Sequence, residues 1–208
     1  MNIDARFAVL KFDYDRDRAF AEAEALMPRM EKTNYAPGSV GVELPFDVGR
    51  GEWHSISLNY VPEDEMTKHG RGSARNRNVS ENWVWRDDID APYLRQLVES
   101  LPIGRLLCVR LIALRPGNAG SVHNDDYAGL YYPTGARSVT LNLSSGGGDL
   151  QIWHNDQHYT VSDYPAFIFR DDCWHGVSTV RSNRIQMRVN AFFNVELSGL
   201  IDKDRVLQ

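Results

Sequence analysis

The sequence predicts a mainly β fold with flanking helices, organised around a jelly roll. Two observations carry that expectation. From Arg105 onward, short runs rich in apolar and β-branched residues are cut at Gly, Pro, Asn or Asp turns. Eight such runs lie near 106–115, 119–123, 137–144, 149–154, 158–162, 166–170, 175–180 and 184–195. Eight short antiparallel strands suit a double Greek key.

The first half reads differently. Residues 6–12 form a first strand, after which Asp13 or Asp15 can cap a helix whose apolar positions are Phe20, Ala23, Leu26 and Met27, running to about Pro28. A second helix starts near Asp90, with Pro92 in its first turn. Leu94, Leu97, Val98 and Leu101 fall at i, i+3, i+4 and i+7, a single apolar stripe, and Pro102 and Gly104 end it. Between these parts, residues 62–84 are polar, glycine-containing and aperiodic. They are expected to form a long loop that acts as a lid, with Arg71, Arg75 and Arg77 available to a substrate. All of this fits one domain over 1–208: a helical and strand part over 1–104 and a jelly-roll core over 105–195.

Composition excludes several classes. A formal net charge of -5 provides no basic footprint for nucleic acid. The charged N-terminus lacks a signal-peptide core and no apolar stretch is long enough to cross a membrane, so a cytoplasmic protein is expected. Cys108 and Cys173 have neither CxxC spacing nor further cysteines, and read as reduced, buried thiols.

The chemistry is concentrated in RPGNAGSVHNDDY and RDDCWHGVST. His123 and Asp125 stand two apart at the end of an expected strand, so a period of two directs both the same way. His175 follows the carboxylate by 175 - 125 = 50 residues, at the start of a late strand that a jelly roll returns beside the early one. Two imidazoles and one carboxylate make a facial triad for iron(II), leaving positions for a 2-oxo acid and O2. Arg184, nine residues after His175 (184 - 175 = 9), offers a bidentate fork for the far carboxylate of 2-oxoglutarate. The glycines of GGGDLQIW allow close backbone approach nearby.

The lining is expected to be polar. Thr140 and Asn142 alternate on one strand, and Arg184, Gln186, Arg188 and Asn190 on another. Asn142 and Gln186 are assigned with Arg184 to 2-oxoglutarate, and Arg188, Asn190 and Thr140 to the substrate. His154 and His158 flank an Asn-Asp turn and read as surface hairpin residues. Asp126 alternates to the other face, Asp171 and Asp172 read as turn formers, and His54 and His69 stand alone. A Cys173 thiolate ligand would describe a different site.

The order HNDD, GGGDLQIW, WHGVST, NRIQMRVNAFF resembles the 2-oxoglutarate-dependent oxygenase superfamily. APYLRQLVESLP ahead of a long strand and HxD, with WHSISLNY upstream, is similar to the aspartyl/asparaginyl β-hydroxylase-like family, particularly its bacterial free-proline hydroxylases. The resemblance covers about residues 50–195. It implies a double-stranded β-helix (cupin-like), iron bound by His123, Asp125 and His175, and 2-oxoglutarate bound by Arg184. The strand ARSVTLNLSS departs from the apolar, histidine-containing strand of proline hydroxylases. The expected substrate is a small zwitterion such as a free amino acid, hydroxylated at a C–H bond. A residue within a peptide or protein is the nearest rival, and a non-catalytic jelly roll holding a metal or small acid is the rival of another class.

Overall fold

Strand alternation in the second half produces two sheets with a shared interior. The computed structural model describes residues 7–33, 53–62, 82–123, 135–144, 147–154, 157–161, 164–169 and 173–207, without the side chains of Thr33, Ser121, His123, His154 and Leu207. In chain order the strands are β1 (Phe7–Leu10), β2 (Glu31–Thr33), β3 (Trp53–Ser57), β4 (Asn59–Tyr60), β5 (Val84–Trp85), β6 (Ile103–Leu114) and β7 (Gly120–His123). There follow β8 (Arg137–Asn142), β9 (Leu150–His154), β10 (Gln157–Val161), β11 (Ala166–Phe169), β12 (Trp174–Val177), β13 (Arg184–Phe193) and β14 (Ile201–Leu207). The helices are α1 (Arg16–Ala25), α2 (Pro92–Glu99) and the single turn α3 (Leu197–Leu200).

The major sheet has the order β14-β1-β11-β8-β13-β6-β3-β2 and the minor sheet β10-β9-β12-β7. From β6 to β13 the chain crosses repeatedly between the sheets, so β11-β8-β13-β6 stands opposite β10-β9-β12-β7. This is the jelly roll expected from the sequence. The strands at the major sheet's margins are additions to it. β1 pairs with β11 and β3 with β6, so the N-terminal strands extend the sheet that the later strands begin.

Alternation gives the major sheet two unlike faces. Leu10, Val139, Leu141, Ile185, Met187 and Val189 point outward and share one core with Ala19 and Ala23 of α1 and Leu94, Leu97 and Val98 of α2. On the inner face, Phe7, Val9, Phe167 and Phe169 meet Leu150, Ile152, Val161 and Cys173. Farther along, Leu114 meets Val177 and Val180, with Trp53 packed against them.

The helices follow their local signals. Asp15 rather than Asp13 caps α1, its carboxylate accepting from the Arg18 N–H at 3.0 Å. The helix stops at Ala25, and Pro28 sits in a separate 3-10 turn, Met27–Arg29, where its missing N–H costs nothing. At α2, Pro92 occupies the first turn and Ala91 supplies no capping side chain. The cap comes instead from α1: the Glu22 carboxylate accepts from the N–H groups of Tyr93 and Leu94 at 2.9–3.0 Å.

Three features depart from expectation. Gly104 lies inside β6 rather than ending a helix, and a Cβ there would come within 2.7 Å of Asn194 Oδ1. β5 begins at the C-terminal edge of the expected 62–84 loop and pairs with β4. Residues 63–81, with His69, Arg71, Arg75 and Arg77, lie outside the described residues. β14 adds a strand beyond residue 195, preceded by the turn α3. Among the described residues no helix is long and apolar enough to cross a membrane.

Candidate active site

The site is built from the strands nearest the middle of each sheet. β12 lies between β9 and β7, and the Cα partner of His175 across β7 is His123. Directly opposed residues of an antiparallel pair share a face, so positions 123 and 175 stand side by side in the minor sheet. His175 itself is 3% exposed. Its Nδ1 lies 2.9 Å from the Cys173 carbonyl oxygen. A carbonyl only accepts, so Nδ1 carries the proton and a neutral ring keeps its lone pair on Nε2, the atom suited to a metal. Phe169 holds the ring edge-on at 4.8 Å and 69°. Cys173 contributes this carbonyl, while its residue is buried in the apolar cluster between the sheets.

Asp125 lies outside the described residues, as do Asp126, Asp171 and Asp172 and the His123 side chain. Among the described residues no three His, Cys, Asp or Glu side chains converge.

β13 supplies the opposite wall. Its core-facing residues Ile185, Met187, Val189 and Ala191 are all fully buried, which sets Arg184, Gln186, Arg188 and Asn190 on the inner face. Arg184 is 4% exposed and donates through one guanidinium nitrogen to the Gly148 carbonyl. The expected close approach of the glycine run therefore has a definite partner. A Cβ on Gly147 would sit 2.8 Å from Arg184 Cβ and Cγ, and one on Gly148 would run into the Ser178 carbonyl. Ser178 ties the same segment down, exchanging hydrogen bonds with Asp149 through its N–H at 3.0 Å and its Oγ at 2.9 Å.

The remaining polar positions form cross-strand pairs with β8: Gln186 with Asn142, Arg188 with Thr140, and Asn190 with Ser138. Thr140, Asn142, Arg188 and Asn190 are all buried. The Ser138 hydroxyl donates to Asn190 Oδ1 at 2.5 Å. Thr140 Oγ1 is buried with no hydrogen-bond partner among the described residues, the kind of orphan a ligand satisfies. The Arg188 guanidinium carbon lies 5.3 Å from the Phe169 ring centroid, so Arg188 and His175 pack against the same aromatic ring.

His158 takes no part in this interior. It is exposed on the β9–β10 hairpin, stacks on its cross-strand partner Trp153 at 4.9 Å, and its Nε2 lies 2.5 Å from Gln151 Oε1. His54 alternates to the face opposite Trp53 and Ser55, away from the site. Two inner-face residues went unassigned in the sequence, Arg110 on β6 and Ser57 on β3, which are cross-strand partners. The available signal was the basic residue interrupting CVRLIAL, between Val109 and Leu111 that are both fully buried.

No family model matches the chain, and no curated protein matches it in sequence. Solved structures do. One is a prolyl hydroxylase from Trichoplax adhaerens in complex with a hypoxia inducible factor oxygen degradation domain peptide fragment. It aligns at 12% identity over 94% of this chain and 87% of that one, with a TM-score of 0.52. The shared fold is the double-stranded β-helix. Other matches are a Pseudomonas putida prolyl-4-hydroxylase (12% identity, 91% of this chain and 94% of that one, TM-score 0.49) and a 2OG-Fe(II) oxygenase family oxidoreductase from Burkholderia pseudomallei (11%, 84% and 78%, 0.44). In this double-stranded β-helix, His123 ends the second core strand, His175 is the second residue of the seventh, and Arg184 opens the eighth.

Proposed function

We propose that this protein is a cytoplasmic iron(II)- and 2-oxoglutarate-dependent dioxygenase of the aspartyl/asparaginyl β-hydroxylase-like kind, hydroxylating a C–H bond of a small polar substrate such as a free amino acid. The observation that carries the reading is the register of His175 with His123, facing a buried polar wall that Arg184 opens. The His175 tautomer fits a metal, since Nδ1 is committed to Cys173 and Nε2 carries the lone pair. His123, Asp125 and His175 would hold iron(II), which with 2-oxoglutarate and O2 supplies the oxidising power for hydroxylation, leaving succinate and CO2.

The chain's own groups then divide the remaining work. Arg184 keeps five donors in a rigid plane and engages Gly148 with one nitrogen, so its fork meets a carboxylate in a fixed orientation. Asn142 and Gln186, paired beside it, donate or accept at the same ligand. Arg188, Thr140 and Asn190 orient the substrate, and Phe169 packs against both Arg188 and His175. The prolyl hydroxylase likeness raises the rival of a residue within a peptide.

The test uses protein stripped of metal, given iron(II), 2-oxoglutarate, ascorbate and a panel of amino acids and short peptides. A mass gain of one oxygen on a free amino acid, with matching succinate release, is the expected result. Gain on peptides alone moves the substrate to the rival. No succinate under any condition rejects the oxygenase.

A further inference from the structure

One row of the inner face has a composition that a structural interior would not select. Across the major sheet, Ser57, Arg110, Arg188 and Thr140 are successive cross-strand partners, from β3 through β6 and β13 to β8. Phe167 on β11 continues the row and closes it. Two guanidiniums thus start from directly opposed positions, a placement that destabilises a sheet unless an anion lies between them. From Arg110 toward β8 exposure falls: Ser57 is half-buried and Arg110 exposed, but Arg188 is 8% exposed and Thr140 is 1% exposed. The row is open at Arg110 and closed at Thr140.

Among the described residues the outer member has no counterion. No hydrogen bond or ion pair ties the Arg110 side chain to a described residue. Glu31, an acid at the sheet edge, lies opposite Ser55 in the adjoining row; Arg86, whose pKa is raised chiefly by its bond to Asp88, also feels the Glu31 charge. At the deep end, the buried Thr140 hydroxyl lacks a partner among the described residues. Valine would fill the same space without burying a hydroxyl, so the threonine calls for an acceptor or donor that arrives with the ligand.

We infer that Arg110 and Arg188 form a two-armed clamp for the substrate's carboxylate, with Thr140 and Ser57 at its two ends. This rests on the oxygenase reading and narrows it: the substrate carries a free carboxylate and is not an internal residue of a chain. Arg110 captures the anion at the mouth, and Arg188, one ring from His175, sets its final position. Guanidinium forks match a planar carboxylate through paired hydrogen bonds.

The test is binding, not turnover. Protein loaded with redox-inert zinc(II) and N-oxalylglycine, an unreactive analogue of 2-oxoglutarate, is probed by ligand-observed NMR with the common L-amino acids, their C-terminal amides and inorganic phosphate. At least one acid should bind tenfold or more tightly than its amide. Arg110→Gln should weaken that acid roughly ten- to a hundredfold, the loss of one charge-assisted contact, and leave N-oxalylglycine untouched. Arg110→Lys should recover part of the loss. The clamp is overturned if no acid is preferred to its amide, if Arg110→Gln leaves the preference intact, if it weakens N-oxalylglycine equally, or if phosphate alone binds. Should N-oxalylglycine fail to bind the wild type while an acid still binds through Arg110, the oxygenase reading falls and the carboxylate clamp stands.

Discussion

The two faces of β13 share one backbone and one hydrogen-bond ladder, yet they answer different demands. Ile185, Met187, Val189 and Ala191 are fully buried, the first three in one core with the helices. Arg184, Gln186, Arg188 and Asn190, interleaved with them, face the other sheet. Burying apolar area stabilises the fold, while burying guanidiniums and amides costs free energy unless hydrogen-bond partners offset it. A strand can carry both because its period of two sends successive residues, one peptide unit apart, to opposite faces. Stability and function should therefore be mutable independently along one strand.

The largest effect expected from that separation lies on the inner side, at the metal. His123→Ala, Asp125→Ala and His175→Ala should each abolish both turnover and the visible charge-transfer band that iron(II) and 2-oxoglutarate give without oxygen. His158→Ala, on the outer face of the minor sheet, should keep both. Loss of the band in the His158 variant as well would erase the distinction between the faces.

Next comes the outer side. Met187→Ala empties a fully buried site and should lower unfolding free energy by about 2–5 kcal/mol in a urea titration. The folded fraction should retain its band, and a lost band at full folding would break the separation. Arg184→Ala is the converse. It should weaken 2-oxoglutarate by about 1.5–3 kcal/mol, one to two decades, measured as an apparent Michaelis constant. Its urea midpoint should stay near the wild type. Gly147→Ala should push in the same direction by a smaller factor, because its Cβ crowds Arg184 Cβ and Cγ.

The smallest effect is remote from both faces. Asp88 accepts from Arg86 and also from Arg29, and these bonds hold its carboxyl well below the usual range. A depressed folded pKa contributes stability that is present above the ordinary carboxylate value, about 4, and is lost as pH falls below it. Solvent screens this exposed cluster. Asp88→Asn should barely move the midpoint at neutral pH and should slightly flatten its fall in acid.

How much of this was legible in the sequence follows from where each signal resides. The eight core strands were readable because both of their faces obey a local period, and α2 because Leu94, Leu97, Val98 and Leu101 mark one stripe. Arg184 was readable from its distance to His175. β2, β4 and β5 have three residues or fewer, and β14 reads IDKDRVL. Such strands exist because a neighbour offers an edge, and no periodicity announces that. Arg110 was hidden for the same reason. Its partner in the clamp, Arg188, lies 78 positions away (188 - 110 = 78), and only the β6–β13 register sets them opposite one another.

The carboxylate of Glu22 has a consequence for folding. Ala91 leaves α2 without a cap of its own, and the two N–H groups at its start are satisfied by a residue of α1, some 71 positions earlier (93 - 22 = 71). An isolated α2 of eight residues is below the length that is stable in water. The two helices should consequently nucleate and fray as one unit. In hydrogen exchange, the amides of Tyr93 and Leu94 should open together with α1, and removal of one carboxylate by Glu22→Gln should release protection at the start of a helix distant in sequence.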